Sequence, residues 1–408
     1  MADNFLQRDL FGKVATVSSP APVSRGVSFD RSPPRGIEPV SPDTSFGLLP
    51  KGISPRAASK PLPERSLSQK DVLPAEGVKS GELSSGAPAQ AEVSASGNDI
   101  VFEDFSVPFT DDFLAVHGRA VGDRKLRLRR TGPADAPAIL VLGGISAGRG
   151  AATVGDEIGW WPDIVGSGKS IDTDRYAVWT ADYFPIDPIG VASLAPTDFA
   201  RQFVTGLRQL GVAQVAGIVG ASFGGMVALA IAEKYPAFVA KLCALCVDDG
   251  PSPMSRAFRK TQQRVLQFGL DNGNPREAVS IARELAVATY RTPGEFEQRF
   301  QNPNELYSYL THHGAKYSAT VDAKRYLALS SAIDRHKPNP EQITTPTYVL
   351  AVREDQLVPE ASAQRLYERL SGAKKIDVIS SVYGHDGFLK ETTQVGDAIR
   401  RFFDWEAV

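Results

Sequence analysis

Six short apolar runs limit what this chain can become: Ala138–Leu142, Tyr176–Thr180, Val215–Val219, Leu242–Val247, Tyr348–Ala351 and Ile376–Ile379. Their hydrophobicity is continuous rather than alternating, which suits strands buried on both faces of a parallel sheet. Helical patterns lie between them, among them Thr197–Leu210 and Gly224–Lys234, and Glu391–Trp405 reads as an amphipathic closing helix. This alternation predicts an α/β fold, a mostly parallel sheet flanked by helices. Ligands then sit at the carboxyl ends of the strands. Phe113–Val121 and Leu126–Arg130 read as an antiparallel entry pair. From Pro253 to Arg335 the pattern is helical only, for example Ala278–Tyr290, and this stretch reads as an inserted helical cap over the strand ends.

Composition divides the rest. The first hundred of the 408 residues hold 12 of the 29 prolines and 16 serines, with no Trp, Tyr, His or Cys. So few aromatics cannot offset the entropy of ordering, so residues 1–100 read as a disordered tail. The expected division is tail 1–100, core 101–252, cap 253–335 and core 336–408. A net charge of −2 gives no basic field to recruit nucleic acid. No stretch of 18 apolar residues predicts a membrane span. Cys243 and Cys246 are too few for a disulfide framework and favour a reducing, cytoplasmic setting. Their C-x-x-C spacing falls inside an apolar run, where alternation would separate them, so no metal or redox role is expected.

The chemistry starts at Gly220-Ala221-Ser222-Phe223-Gly224. This G-x-S-x-G follows an apolar run and opens a helical pattern, the context of a nucleophile elbow. A serine hydroxyl needs a base to take its proton. In the alpha/beta-hydrolase order, Ser is followed by an acid and then by His. His385, in Tyr383-Gly384-His385-Asp386-Gly387, is the histidine followed only by the closing helix. His117 precedes the serine, His312 and His313 lie in the cap pattern, and His336, the closest rival, precedes the last two strands. The acid should follow Tyr348–Ala351, where Glu354 and Asp355 both stand. Asp355 is favoured because it directly precedes the Gln-Leu-Val-Pro segment opening the next helix. An oxyanion needs two donors. The N–H of Phe223 supplies one, and the Gly143-Gly144-Ile145 loop supplies the other, assigned to Ile145.

With these residues placed, Phe113 to Trp405 resembles the homoserine O-acyltransferases of the alpha/beta-hydrolase superfamily. The resemblance rests on Gly159-Trp160-Trp161, the stretch Gly166 to Tyr176, the cap segment from Ala282-Arg283-Glu284 to Thr289-Tyr290-Arg291, and Tyr383 to Leu389. It implies a ping-pong transfer from acyl-CoA, a co-substrate, through a Ser222 ester to the hydroxyl of L-homoserine, in methionine biosynthesis. It implies no further cofactor, small-molecule partners, and a homodimer built on cap helices. Asp386 would bind the acceptor's amino group. The family's early cap arginine falls at Gln263 here, so Arg259 or Arg264 would take the acceptor carboxylate. The Gly-Gly-Ile-Ser-Ala loop resembles the succinyl-using branch, where Arg149 could meet a succinyl carboxylate. An L-serine O-acyltransferase and a serine hydrolase of the same fold are the alternatives.

Overall fold

The computed structural model describes residues 90–94, 101–114, 124–183 and 194–406. Among them, nine strands form one sheet: β1 (Gln90–Ser94), β2 (Phe102–Val107), β3 (Leu126–Thr131), β4 (Ala138–Leu142), β5 (Ala177–Ala181), β6 (Gly217–Ala221), β7 (Leu242–Leu245), β8 (Thr347–Val352) and β9 (Lys374–Ile379). The spatial order is β1-β2-β3-β5-β4-β6-β7-β8-β9. Pairings from β1 to β5 are antiparallel, and those from β5 to β9 are parallel. The apolar runs predicted as buried strands are these parallel strands, shifted by up to two residues. Val215 makes only an isolated bridge to Val239, so β6 starts later and carries the chain to Ala221, next to the nucleophile candidate.

Two expectations are corrected. The partner of β3 is Phe102–Val107, not Phe113–Val121: residues 111–114 are helical, and 115–121 lie outside the described residues. The register explains the choice. Glu103 faces Arg130 and Asp104 faces Arg129, and both pairs close ion pairs at 2.7 Å. Opposite charges directly across an antiparallel pair select that register. The second correction concerns the tail, since Gln90–Ser94 is a strand within the stretch assigned to it. This strand pairs along β2 from Gln90↔Ser106 to Ser94↔Phe102, and one valine in five residues left no burial pattern to read. The other tail residues lie outside the described residues.

Helices cover the sheet. α1 (Pro196–Gln209) and α2 (Phe223–Lys234) pack on it, α2 so deeply that ten of its residues are buried. The cap is α3 (Pro253–Asp271), α4 (Pro275–Tyr290), α5 (Pro293–Arg299), α6 (Pro303–Ser318) and α7 (Ala323–Asp334), inserted between β7 and β8. The first four open on proline at the first helical position, where the missing N–H costs nothing. Ser252 caps α3 through the Ser255 N–H, and Asp322 caps α7. After β8 come α8 (Glu360–Arg369), then α9 (Gly387–Lys390) and α10 (Thr392–Asp404), which closes the fold. Among the described residues no helix is long and apolar enough to cross a membrane.

Candidate active site

The turn after β6 forces an unusual backbone on Ser222, with φ 54° and ψ −119°. Its glycine neighbours are required by space. A Cβ on Gly224 would stand 2.2 Å from the Leu142 carbonyl oxygen, and one on Gly220 would stand 2.6 Å from the Gly224 oxygen. Strain of this kind is held only where the surroundings over-determine it. Here β4 and the first turn of α2 do so. Ser222 becomes the cap of α2, and Phe223 is its first residue, so the Phe223 N–H has no partner within the helix.

His385 sits on the loop after β9. Its Nε2 lies 2.9 Å from Ser222 Oγ, and its Nδ1 lies 2.6 Å from Asp355 Oδ2. Asp355, 3% exposed, follows β8, and its other oxygen accepts the Leu357 and Val358 N–H groups at 2.8 and 2.9 Å. Burial alone would pull the His385 imidazole down. The adjacent Asp355 charge and hydrogen bond, helped by Asp386 and Asp248, outweigh burial and raise it above its ordinary value. The serine, base and acid singled out from the sequence thus come together in one relay. Glu354, the other acid considered, instead accepts from Ser380 Oγ and the Ser381 N–H at 2.6 and 2.7 Å. His336 is buried against the Asp248 carbonyl, 2.8 Å away, and His312 and His313 lie on α6. His117 lies outside the described residues.

The Gly143–Ile145 loop borders this relay. A Cβ on Gly144 would lie 3.9 Å from Ser222 Cβ, and Ile145 lines the cavity above it. The Gly143 carbonyl pins the loop, accepting from Tyr183 Oη at 2.6 Å and from the Gly224 N–H at 2.9 Å. The tandem tryptophans brace both sides. Trp160 Nε1 donates to the Gly148 oxygen, Trp161 Nε1 donates to the Phe388 oxygen on the histidine loop, and the two rings stack at 5.2 Å. The bracing by Tyr183 and the tryptophans needed the folded structure, because it joins segments far apart in sequence.

The cap closes a cavity over Ser222 and His385. Ser146, Trp160, Asp248, Arg259, Arg283, Tyr290, Tyr326 and Asp386 also line it. Of the two arginines expected to meet an acceptor, Arg259 lines the cavity, whereas Arg264 is exposed on the far side of α3 and does not. The helical period separates them: five residues on, the side chain points away. Gln263 turns to Asp334 and Ser330. Arg149 is committed to Asp182 at 2.7 Å and Asp104 at 3.2 Å, so it is not a free cation at the site. Asp386 lines the cavity while pairing with Arg291 at 3.0 Å, a partner the sequence reading did not assign.

The residue missed was Arg283. It stands on α4, where its guanidinium lies over Tyr317 at 4.7 Å and Tyr290 at 5.4 Å, and no carboxylate pairs with it among the described residues. Tyr290 in turn lies 5.9 Å from the His385 ring. The signal was present in Ala282-Arg283-Glu284, but without the cap's orientation it could not be told from an exposed arginine.

Other motifs resolve simply. Asp172 Oδ1 accepts the Gly168 and Asp174 N–H groups, which holds the turn that follows Gly166. Cys243 and Cys246 are free and buried in the same apolar cluster. Strand alternation does not separate them, because Cys246 lies past β7 at φ 49°. Burial raises both thiols, which leaves them unreactive. Among the described residues no cluster of His, Cys, Asp or Glu could hold a metal ion.

Comparison with known proteins decides the family. The family described as alpha/beta hydrolase fold matches residues 159–392. A homoserine O-succinyltransferase of Xanthomonas campestris pv. campestris is 36% identical over 294 residues, covering 69% of this chain and 79% of the relative. The chain belongs to the homoserine O-acyltransferase family of alpha/beta hydrolases. Solved structures agree on the fold. The homoserine O-acetyltransferase from Bacillus anthracis superposes with a TM-score of 0.65 at 15% identity, covering 76% of this chain and 99% of that one. Esterase E22 gives 0.63 at 20% identity, covering 74% and 99%. Homoserine O-acyltransferases and esterases therefore share this scaffold.

Proposed function

We propose that the chain transfers an acyl group from acyl-CoA to the hydroxyl of L-homoserine through an ester on Ser222. The observation that carries this is the Ser222–His385–Asp355 relay opening into a cap cavity that holds Arg283, which no carboxylate pairs with among the described residues. A hydrolase of simple esters has no use for a cation there, whereas an amino-acid acceptor brings a carboxylate that a guanidinium can grip bidentately.

In the first half-reaction His385 Nε2 takes the Ser222 hydroxyl proton as Oγ attacks the thioester carbonyl. The oxyanion forms against the Phe223 and Ile145 N–H groups. The carbon–sulfur bond then breaks, and the leaving sulfur takes the proton from His385. In the second half, His385 takes the proton of the homoserine hydroxyl, whose oxygen attacks the Ser222 ester. Collapse breaks the ester bond, and Ser222 regains its proton. Asp355 keeps the second imidazole hydrogen on Nδ1, so that Nε2 can accept in both halves. Arg283 holds the acceptor carboxylate and Asp386 faces its ammonium. No further cofactor is needed, and the product is an activated precursor for methionine biosynthesis in a reducing cytoplasm.

The test is intact-mass spectrometry after brief mixing with each acyl-CoA, paired with CoA release measured with and without homoserine. An acyl increment absent in Ser222→Ala, together with release stimulated by homoserine, supports the reading. Equal release without the alcohol would identify a thioesterase, and stimulation by L-serine rather than homoserine would move the acceptor.

A further inference from the structure

The second oxyanion donor sits on a loop anchored in two layers at once. A Cβ on Gly144 would meet nothing nearer than 3.9 Å, so glycine there is not required by space and leaves the peptide that follows it free to turn. Two contacts oppose that freedom. The first is a turn bond, in which the Gly144 carbonyl accepts the Ala147 N–H at 2.8 Å. In a planar trans peptide the Ile145 N–H then points the opposite way, and it donates to no group among the described residues. The second is the Ile145 side chain. It packs against the main sheet cluster and also against the cap cluster of Leu266 on α3, Val279 and Ala282 on α4, and Ala323 and Tyr326 on α7. One side chain thus joins the core of the sheet to the core of the cap. Ser146, the next residue, reaches Tyr317 Oη on α6 at 3.5 Å.

We propose that the cap sets the oxyanion hole through the Ile145 side chain: wedged between the two clusters, it holds its own N–H toward the Ser222 ester, so the hole is complete only beneath a seated cap. This rests on the acyl-enzyme reading above and on Ile145 as its second donor. Hydrogen-bond donors stabilise an oxyanion best when they are fixed before the charge forms. The start of the loop is fixed from the sheet side, where the Gly143 oxygen accepts from Tyr183 Oη and the Gly224 N–H. Beyond it the loop has the bond to Ala147 and the Ile145 anchor, and part of that anchor is made of cap residues. Leu266 is fully buried in the cap cluster and is not among the residues lining the cavity. It reaches Ser222 only through this packing, which makes it a positioning residue. Any lifting of the cap to admit substrate withdraws the same donor, so the Ser222 ester is least reactive when water has most access.

The decisive measurement is acylation of Ser222 in the full chain by p-nitrophenyl acetate and by its thiono counterpart, which carries C=S in place of C=O, each followed as p-nitrophenolate release without homoserine. Sulfur is a weak hydrogen-bond acceptor, so the oxo-to-thiono rate ratio reports on the hole itself. Ile145→Ala keeps the N–H and removes the anchor. It should lower the oxo rate by about a hundredfold, the scale of a misplaced donor, and the thiono rate by less than about threefold. Ile145→Val should recover most of the loss. Leu266→Ala should lower the ratio at least about fivefold, with the pH midpoint of acylation unchanged because the relay is untouched. Circular dichroism checks the fold, and if Leu266→Ala does not fold, Leu266→Val is read by the same ratio. A ratio that holds in the Leu266 variant overturns the proposal, because the sheet alone then positions the donor. Equal losses for both esters also overturn it, because a merely structural disturbance acts that way. No p-nitrophenolate burst and no acyl mass increment on the wild type overturn the acyl-enzyme reading itself and take this proposal with it.

Discussion

Asp355→Asn tests the relay without changing its shape. In the native site Asp355 Oδ1 accepts two backbone N–H groups, from Leu357 and Val358, and Oδ2 accepts from His385 Nδ1 at 2.6 Å. An asparagine must aim its carbonyl oxygen at the two N–H groups, because an amide nitrogen cannot accept them. That turns its NH2 toward His385. Two donors cannot face each other, so the imidazole hydrogen moves to Nε2, and Nε2 can no longer take the Ser222 proton. The wrong tautomer costs about 10⁴ in rate, which at about 1.4 kcal/mol per tenfold is about 5.5 kcal/mol of lost transition-state stabilisation. The assay is homoserine-dependent CoA release, with circular dichroism to show that the fold is kept. Glu354→Gln is the control: its carboxylate serves Ser380 and Ser381, so its loss should cost less than about threefold. A loss below tenfold in Asp355→Asn, or a comparable loss in Glu354→Gln, would refute the tautomer argument.

Four further outcomes are expected. The acid limb of kcat/KM should have its midpoint above the ordinary histidine value of 6.5, because His385 is raised and is useless as a base once protonated; a midpoint below 6.5 contradicts this. His336 is buried and lowered to about 4. Its contribution to stability is therefore complete above 6.5 and lost as pH falls toward 4, by about 3 kcal/mol. His336→Gln should flatten that part of the pH–stability curve in urea unfolding. Arg283→Met should raise the KM for homoserine at least about tenfold while Ser222 acylation continues, separating acceptor binding from the first half-reaction. Gly224→Ala should lose about 3 kcal/mol, seen as a lower melting temperature, because its Cβ meets the rigid Leu142 carbonyl rather than a side chain that can turn away.

The parts of the fold legible from sequence were those enforced by burial. β4, β6 and β8 are buried along their whole length or nearly so, and their continuous apolar runs said as much. The elbow was legible because sterics allow only glycine at 220 and 224, and the order of serine, acid and histidine follows from the strand order. The misreadings came where backbone pairing or charge, rather than apolar burial, decides. β1 is held at the sheet edge by backbone bonds, and β2 by cross-strand pairs of Glu103 and Asp104 with arginines, which no hydrophobic pattern reveals. Direction around a helix was the other gap. Arg259 and Arg264 were equivalent on paper, and only the seating of α3 turns one into the cavity and the other outward.

The cap also explains how one scaffold serves both esterases and acyl transfer. A serine, a histidine and an aspartate at these distances will pass an acyl group to any hydroxyl that reaches the ester, and water is the most abundant one. Selectivity for an amino-acid alcohol must therefore come from occupancy: the acceptor has to be held beside His385 longer and better oriented than water. Arg283 stacks on Tyr290, and Tyr290 lies against the His385 ring. A carboxylate gripped by that guanidinium would be tied, through one aromatic ring, to the position of the base. Asp386 directly follows His385 in the same short turn, so the carboxylate proposed to meet the ammonium is seated beside the base as well. If transfer depended only on excluding water, conservative changes at Arg283 or Asp386 would alter hydrolysis and transfer alike. If it depends on holding the acceptor, those changes will lower transfer and leave hydrolysis of the Ser222 ester where it was. The ratio of free acid to acylated homoserine separates the two.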